Sequence, residues 1–357
     1  MKNVLITGGA GFIAHHIIAH IIKHTDWNIT TIDRLDISGN LNRLHDILND
    51  FSVDEKKRLK IVFHDLKAEI NSQIESEVGK PDIILHLAAA SHVDRSIKYP
   101  MEFVNDNVVG TVNLLNFAKE LKNLEKFVYF STDEIFGNAP ESISYSEYDR
   151  YNSTNPYSAS KAAAEEFCVA YENTYKMPIY ITHTMNVFGE RQHPEKFIPM
   201  VIQKVRDNKK VIVHANEDKT KAGSRHYIHA QDVADGLMFI LNLKNYSHKG
   251  DFGNAKCPKF NLVGPEEIDN LTLAKMIAKT QNKDFLKYGT KTLLDRKQLD
   301  VLNNFPELST FYNIESKLLA KGFEDHGPAW LYQFMQPTQN KRAVGVFNNR
   351  AVSIPYQ

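Results

Sequence analysis

Short apolar runs alternate with longer amphipathic stretches through the first half of the chain. Asn3–Thr7, Asn28–Asp33, Lys60–His64, Ile83–Leu87, Lys126–Ser131 and Ile179–Thr184 have the length and β-branched or aromatic content of strands. Between them, helical spacing covers Phe12–His24, Leu41–Asn49, Lys67–Glu77, Glu102–Leu121 and Pro156–Tyr175. Strand and helix in alternation predict an α/β fold, a Rossmann-type doubly wound parallel sheet with helices on both faces. Past Asn186 the pattern turns irregular, with loops around Gly189–Pro194 and Asn216–Gly223. Helices are predicted there over Pro199–Asp207, Asp232–Leu243 and Leu271–Thr280, and the tail after Pro337 shows no period. The reading is a larger unit over residues 1–185, rejoined by 226–245, and a smaller, partly interleaved C-terminal lobe from 186–225 and 246–357.

Composition narrows the function classes. The 357 residues include 42% hydrophobic side chains, enough for a large core. The 43 basic side chains balance 43 acidic ones, so no basic excess points to nucleic acid or to anionic lipid. Cys168 and Cys257 are far apart and have no metal-type spacing. A reduced, cytoplasmic setting is expected. The N-terminus enters a strand at once, and no run approaches the ~20 apolar residues of a membrane span.

The first strand leads into Thr7-Gly8-Gly9-Ala10-Gly11-Phe12-Ile13-Ala14. Gly8 suits a tight turn, Gly11 lets backbone approach a pyrophosphate, and the small Ala14 permits close helix–sheet packing. Phe12 and Ile13 open a helix whose N-terminal N–H groups face the phosphates. Asp33 closes the second strand, where a carboxylate accepts ribose hydroxyls and repels a 2′-phosphate, which favours NAD over NADP. Arg34 is the competing signal, since it could face such a phosphate. Asp65 and Leu66 follow the third strand, where an adenine contact or an ordinary Asp turn would both fit. Ala88, Ala89 and Ala90 end the fourth strand and leave room for a cofactor.

Asn155 and Pro156 suit the cap and first position of a helix. Tyr157 and Lys161 then fall four apart on one face. A phenol near an ammonium loses its proton more easily than its reference pKa of ~10 allows, which makes a base for a sugar or alcohol hydroxyl. A surface Tyr beside a solvated Lys would give the same spacing. Asp133-Glu134 after the fifth strand reads, by itself, as a polar turn.

Together these features resemble the extended short-chain dehydrogenase/reductase superfamily, and within it the nucleotide-sugar 4,6-dehydratases of the dTDP-glucose type. Four further segments carry the resemblance: the loop from Asp33 to Leu41, His86 to Ser96 after the fourth strand, Ser131-Thr132-Asp133-Glu134-Ile135-Phe136-Gly137, and Pro194 to Pro199. The match runs over about residues 1–245 and then fades. It implies bound NAD and dehydration of a nucleotide-activated hexose. Carbon 4 is oxidised first, because the C5–H becomes acidic only beside a ketone. The resemblance assigns Tyr157 to the 4-hydroxyl proton and gives Lys161 two tasks, lowering the Tyr157 pKa and holding the nicotinamide ribose. It places Thr132 on the 4-oxygen, Glu134 as base at carbon 5 and Asp133 as acid toward the 6-hydroxyl. Ser91, Asn186, Glu195, Lys196 and Arg225 are placed at the sugar and diphosphate, and Asn107 under the active-site backbone. A homodimer through the Glu102–Leu121 and Pro156–Tyr175 helices is also implied.

The chain departs from that pattern in places. Ala90 stands where many relatives carry Glu, and Glu190 where Pro is usual. An Arg-Pro-Gly-His-Asp-like segment is missing, with Asn303 to Glu307 roughly in its place, although Phe311 to Lys317 resembles the stretch that follows. Two other readings stay open: a 4-epimerase or decarboxylase on the same fold, which would not need Asp133-Glu134, and a non-catalytic NAD-sensing scaffold, which would be expected to lose Tyr157 or Lys161. His16, His20 and His24 recur every four residues, a stripe that could hold a metal. The apolar face of Ile13, Ile17 and Ile21 lies one step round, so the histidines are expected to flank it toward solvent with no metal.

Overall fold

Seven parallel strands form the centre of the molecule in the computed structural model. It describes residues 1–140, 143–216, 220–244, 255–281 and the short strands at 248–249, 290–294, 297–299, 344–347 and 350–353. Five strands alternate with helices in the order read from the sequence: β1 (Asn3–Thr7), β2 (Asn28–Asp33), β3 (Leu59–Phe63), β4 (Ile83–His86) and β5 (Lys126–Thr132), followed by β6 (Ile179–Thr184). Their spatial order is β6-β5-β4-β1-β2-β3, and the Lys259–Leu262 strand adds a parallel edge beside β6. That edge strand was not legible, because Lys259 and Asn261 break the apolar run.

The strands are apolar on both faces because helices cover both. On one side Ile17, Ile18 and Ile21 of α1 (Phe12–His24) join Val233, Leu237 and Ile240 of α10 (Ala230–Asn242). On the other, Leu114 and Leu115 of α7 (Gly110–Ala118) join Ala164 and Cys168 of α8 (Pro156–Tyr175). Each fully buried aliphatic side chain contributes about 1.5–3 kcal/mol. Strand order reverses between β1 and β4, and the crevice of a doubly wound sheet opens at such a point.

Two predicted helices differ. The Lys67–Glu77 helix starts only at Ser72, because the Asn71 side chain accepts from the N–H groups of Gln73 and Ile74 and caps it there (α4, Ser72–Val78). The Glu102–Leu121 helix is a composite of α6 (Pro100–Phe103), a π-helical turn over Val104–Val109 and α7. Short helices α2 (Leu41–Leu48), α3 (Val53–Lys56) and α5 (Val93–Lys98) complete this part. The smaller lobe has a sheet of β7 (Asn186–Phe188), β9 (Ser224–His229) and Glu267–Asp269. It also has β8 (Val211–Val213) and its own core, where Val201 and Val205 of α9 (Phe197–Arg206) meet Leu271 and Ile277 of α11 (Asn270–Thr280). The segments Asn303 to Glu307 and Phe311 to Lys317 lie outside the described residues. Among the described residues no helix is long and apolar enough to cross a membrane.

Candidate active site

The glycine turn is shaped by contacts that exclude side chains. Gly8 has φ +74°, and a Cβ there would lie 3.0 Å from the Ala88 Cα. A Cβ on Gly11 would meet the Gly8 carbonyl oxygen at 2.8 Å, the same oxygen that accepts the Gly11 N–H. Gly9, which the sequence reading passed over, is the tightest: a Cβ would sit 1.9 Å from Thr31 Oγ1. Helix α1 begins at Phe12 with no side-chain cap, so its first N–H groups are left for an anion.

A cleft follows from this turn, lined by Gly8, Asp33, Asp65, Leu66, Ala88 and Ala89 among others. Phe12 and Ile13 start α1 and do not line it. Asp33 is buried and holds the turn: Oδ2 accepts the Ala10 N–H at 3.0 Å and Oδ1 the Leu35 N–H at 2.7 Å. Each oxygen keeps a lone pair for a ribose hydroxyl. Arg34 is committed elsewhere. It makes a two-pronged bond to Asp106 at 2.6 and 2.7 Å, a bond to Asp36 at 2.8 Å and a longer one to Asp65 at 3.5 Å. Asp33, Asp36, Asp65 and Asp106 outnumber Arg34 and Lys67, so this rim repels an additional phosphate. The turn, the uncapped helix and the acidic rim fit a dinucleotide without a 2′-phosphate.

The catalytic candidates meet where β5 ends and α8 begins. Thr132 Oγ1 accepts the Glu134 N–H at 3.3 Å, which starts a tight 3₁₀ turn over Asp133–Phe136. The same hydroxyl donates to Asp133 Oδ1 at 3.2 Å. Desolvation first, and then the Glu134 charge, raise the Asp133 carboxyl to about 6, against the pull of Thr132 and Arg225. Asn155 caps α8, accepting the Ser158 N–H at 2.8 Å. Its amide also donates to Glu134 Oε2 at 3.2 Å, a link that the capping signal in the sequence could not reveal.

Tyr157 and Lys161 depart from the expected pairing. Burial, then the Glu134 charge, raise the Tyr157 phenol above its ordinary value, and a hydrogen bond with Thr132 opposes them. Lys161 Nζ donates to the Phe130 carbonyl at 2.6 Å and lies 4.2 Å from the Tyr129 ring centre. Burial lowers its ammonium to about 8. The expectation that Lys161 lowers the Tyr157 pKa is therefore corrected for the protein alone. The spacing set both side chains on the inner face of α8, but burial dominates each titration.

The remaining candidates are placed as follows. Lys196 lies close enough to Glu134 and Glu195 for both charges to oppose the desolvation that lowers its ammonium. Arg225, on β9, is exposed, donates to the Ser224 carbonyl at 2.7 Å and acts on Asp133 through its charge. Glu195 Oε2 lies 3.6 Å from His92 Nε2, and Ser91 directly precedes that histidine. Asn186 opens β7, paired in parallel with Tyr227 of β9. The structure thus gathers Thr132, Asp133, Glu134, Tyr157, Lys196 and Arg225, while Ser91 and Asn186 are tied to it only through their loops and strands. The histidine stripe is also corrected. His16 is buried and its Nε2 contacts the Glu190 carbonyl at 3.0 Å, and His20 Nε2 lies 3.3 Å from Asp235 Oδ1. Only His24 is exposed, because α10 and the loop after β7 cover that side of α1.

Comparison with known proteins agrees with this architecture. The profile described as "NAD dependent epimerase/dehydratase family" matches residues 4–254. The dTDP-D-glucose 4,6-dehydratase of Dictyostelium discoideum is 36% identical over 291 residues, covering 78% of this chain and 62% of its own length. The chain thus spans less than two thirds of that relative. The dTDP-glucose 4,6-dehydratase of Streptomyces venezuelae, solved with NAD bound, superposes with a TM-score of 0.71 at 27% identity, covering 92% of this chain and 98% of that one. The UDP-glucose 4-epimerase of Thermus thermophilus, in complex with NAD, shares the fold, with a TM-score of 0.70 at 21% identity over 90% of this chain and 99% of that one. The chain belongs to the NAD-dependent epimerase/dehydratase family, and NAD is its cofactor.

Proposed function

We propose that this family member dehydrates a nucleotide-activated hexose, of dTDP- or UDP-glucose type, to the 4-keto-6-deoxy sugar. The observation that carries the reading is the pair after β5. Asp133 is pushed to about 6, while the adjacent Glu134 is held by Asn155 at 3.2 Å and faces the charge of Lys196. One neutral and one ionised carboxyl, side by side, are what an elimination needs and what an epimerisation does not.

Gly8, Gly11, Asp33, Ala88 and Ala89 would hold NAD, which when bound would supply the hydride acceptor for carbon 4 and the hydride for carbon 6. Tyr157 would take the 4-hydroxyl proton as its phenolate, a form that burial and the Glu134 charge disfavour in the protein alone and that the positive nicotinamide of NAD would favour. Thr132 holds the 4-oxygen. Glu134 removes the carbon 5 proton once the neighbouring ketone has made it acidic, and carbon 5 regains a proton as hydride reaches carbon 6. Asp133, about half protonated at pH 6, gives its proton to the departing 6-hydroxyl. Residues 1–185 and 226–245 would hold the cofactor. Residues 186–225 and 246–357 would hold the nucleotide sugar, with Arg225 and Lys196 on the diphosphate side, where an Arg fork matches phosphate oxygens.

Exposed apolar side chains support a homodimer. Val104 and Val109 on the first of the helices expected to pair, and Phe167 and Tyr175 on α8, are open to solvent, as are Ile97, Tyr99 and Met101 just ahead of the first.

The test is direct. Purified protein is incubated with dTDP-glucose, UDP-glucose, CDP-glucose and GDP-mannose, and the products are weighed. Loss of one water from one substrate supports dehydration; an unchanged mass with inverted carbon 4 supports the epimerase reading instead.

A further inference from the structure

A chain of buried hydrogen bonds joins the cofactor side of the cleft to helix α8, and its polarity is fixed throughout. Thr7 Oγ1 receives the N–H groups of Leu87 at 3.1 Å and Ala88 at 3.0 Å. Both its lone pairs are then used. Its own proton goes to His86 Nδ1 at 2.8 Å. His86 Nδ1 is therefore an acceptor, and the ring proton sits on Nε2, which donates to Thr111 Oγ1 at 2.9 Å. Thr111 in turn donates to the Asn107 carbonyl at 2.6 Å. The side chain of Asn107 clamps Ala90, accepting its N–H at 2.8 Å and donating to its carbonyl at 3.0 Å. It also donates to Ser160 Oγ at 2.8 Å, and Ser160 donates to the Tyr157 carbonyl at 2.7 Å.

We propose that His86, as its Nε2–H tautomer, is a positioning residue that sets the loop Leu87 to Ala90 against helix α8. The π-helical turn over Val104–Val109 is the device that presents Asn107 to both. A second ring proton would face Thr7 Oγ1, which has no free lone pair. It would also add a charge beside the Lys161 ammonium. Burial and that ammonium hold the imidazole down to about 3. The Tyr129 ring, 5.6 Å from His86 between centres, fills the remaining side. Ala88 and Ala89 line the cofactor cleft, so a shift of this loop changes NAD binding directly. The inference rests on the NAD site and holds whichever sugar reaction follows.

Two measurements test it. In histidine-labelled full-length protein, nitrogen NMR should show one ring with a protonated Nε2 and a bare Nδ1, unchanged from pH 5 to pH 9, and missing from His86→Asn. Thr111→Val removes both hydrogen bonds at that point, and it should weaken NAD binding about tenfold, the loss of roughly one buried hydrogen bond. Thr111→Ser, which keeps the hydroxyl, should restore binding to near the starting value. A His86 ring that titrates near 6.5, or that carries its proton on Nδ1, overturns the proposal. So does Thr111→Val protein that binds NAD as tightly as the unmodified chain. Neither readout involves a sugar, so failure here is separate from failure of the dehydration reading.

Discussion

Asn155 Nδ2 donates to Glu134 Oε2 at 3.2 Å, so the residue that caps helix α8 also orients the carboxylate in the turn after β5. The two tasks can be separated. Asn155→Ser keeps a good helix cap but is too short to reach Glu134. The variant should lose less than about 0.5 kcal/mol in stability, while elimination slows about tenfold, roughly one charge-assisted hydrogen bond. Urea unfolding and the rate of water loss check the two halves.

Asp133 sets an alkaline limit on the rate. Its acid form protonates the departing hydroxyl, and its carboxyl sits at about 6 rather than 3.8. Elimination should therefore fall as pH rises through about 6, and Asp133→Asn should lose that limb together with about 10²-fold of rate. Stability carries the opposite sign to a salt-bridged carboxylate. The folded form binds this proton more tightly, so ionising Asp133 destabilises the fold above about pH 6 and has no effect below about pH 4. Asp133→Asn should be more stable by roughly 1–3 kcal/mol at pH 8, with the gain shrinking toward pH 4. Urea midpoints at both pH values check this.

Glu165 anchors α8 to the sheet through charge. Its carboxylate accepts from Lys259 Nζ at 2.8 Å, His183 Nε2 at 3.0 Å and the Tyr151 hydroxyl. Burial alone would raise this carboxyl; His183 and Lys259 outweigh that and hold it well below the usual range. Lys259→Met should cost about 3–5 kcal/mol by leaving the buried charge short of its partner, and Glu165→Gln added to it should recover part of the loss. The depressed carboxyl contributes stability above its unfolded pKa of about 4 and loses it as pH falls. Acid unfolding of the Glu165→Gln protein should accordingly be shallower.

This cluster also lies beyond what local sequence pattern encodes. Alternating apolar runs placed β1, α1, β2, β6 and α8 at their observed bounds, because local period and capping decide those elements. The strand with Lys259 and Asn261 reads as polar, and partners on α8 and β6, with Tyr151 and Glu147 before α8, make burial tolerable. His16 was misplaced for a related reason: its neighbour Glu190 is distant in the chain. Glycine spacing, Asp33 and the Thr132–Glu134 turn were legible as chemistry. Whether Lys161 faces Tyr157 or the Phe130 carbonyl depends on packing that no i, i+4 spacing contains.

The division of labour between Tyr157 and Glu134 is the centre of the account. Glu134→Gln keeps the shape and the Asn155 contact but removes the base. With a nucleotide-glucose substrate, this variant should still oxidise carbon 4, so reduced cofactor accumulates on the enzyme to about one equivalent while water loss falls by at least about 10²-fold. Rapid-mixing absorbance of the reduced nicotinamide, followed by product mass, reads both at once. Normal dehydration by Glu134→Gln, or a variant that fails to reduce the cofactor, would contradict the assignment.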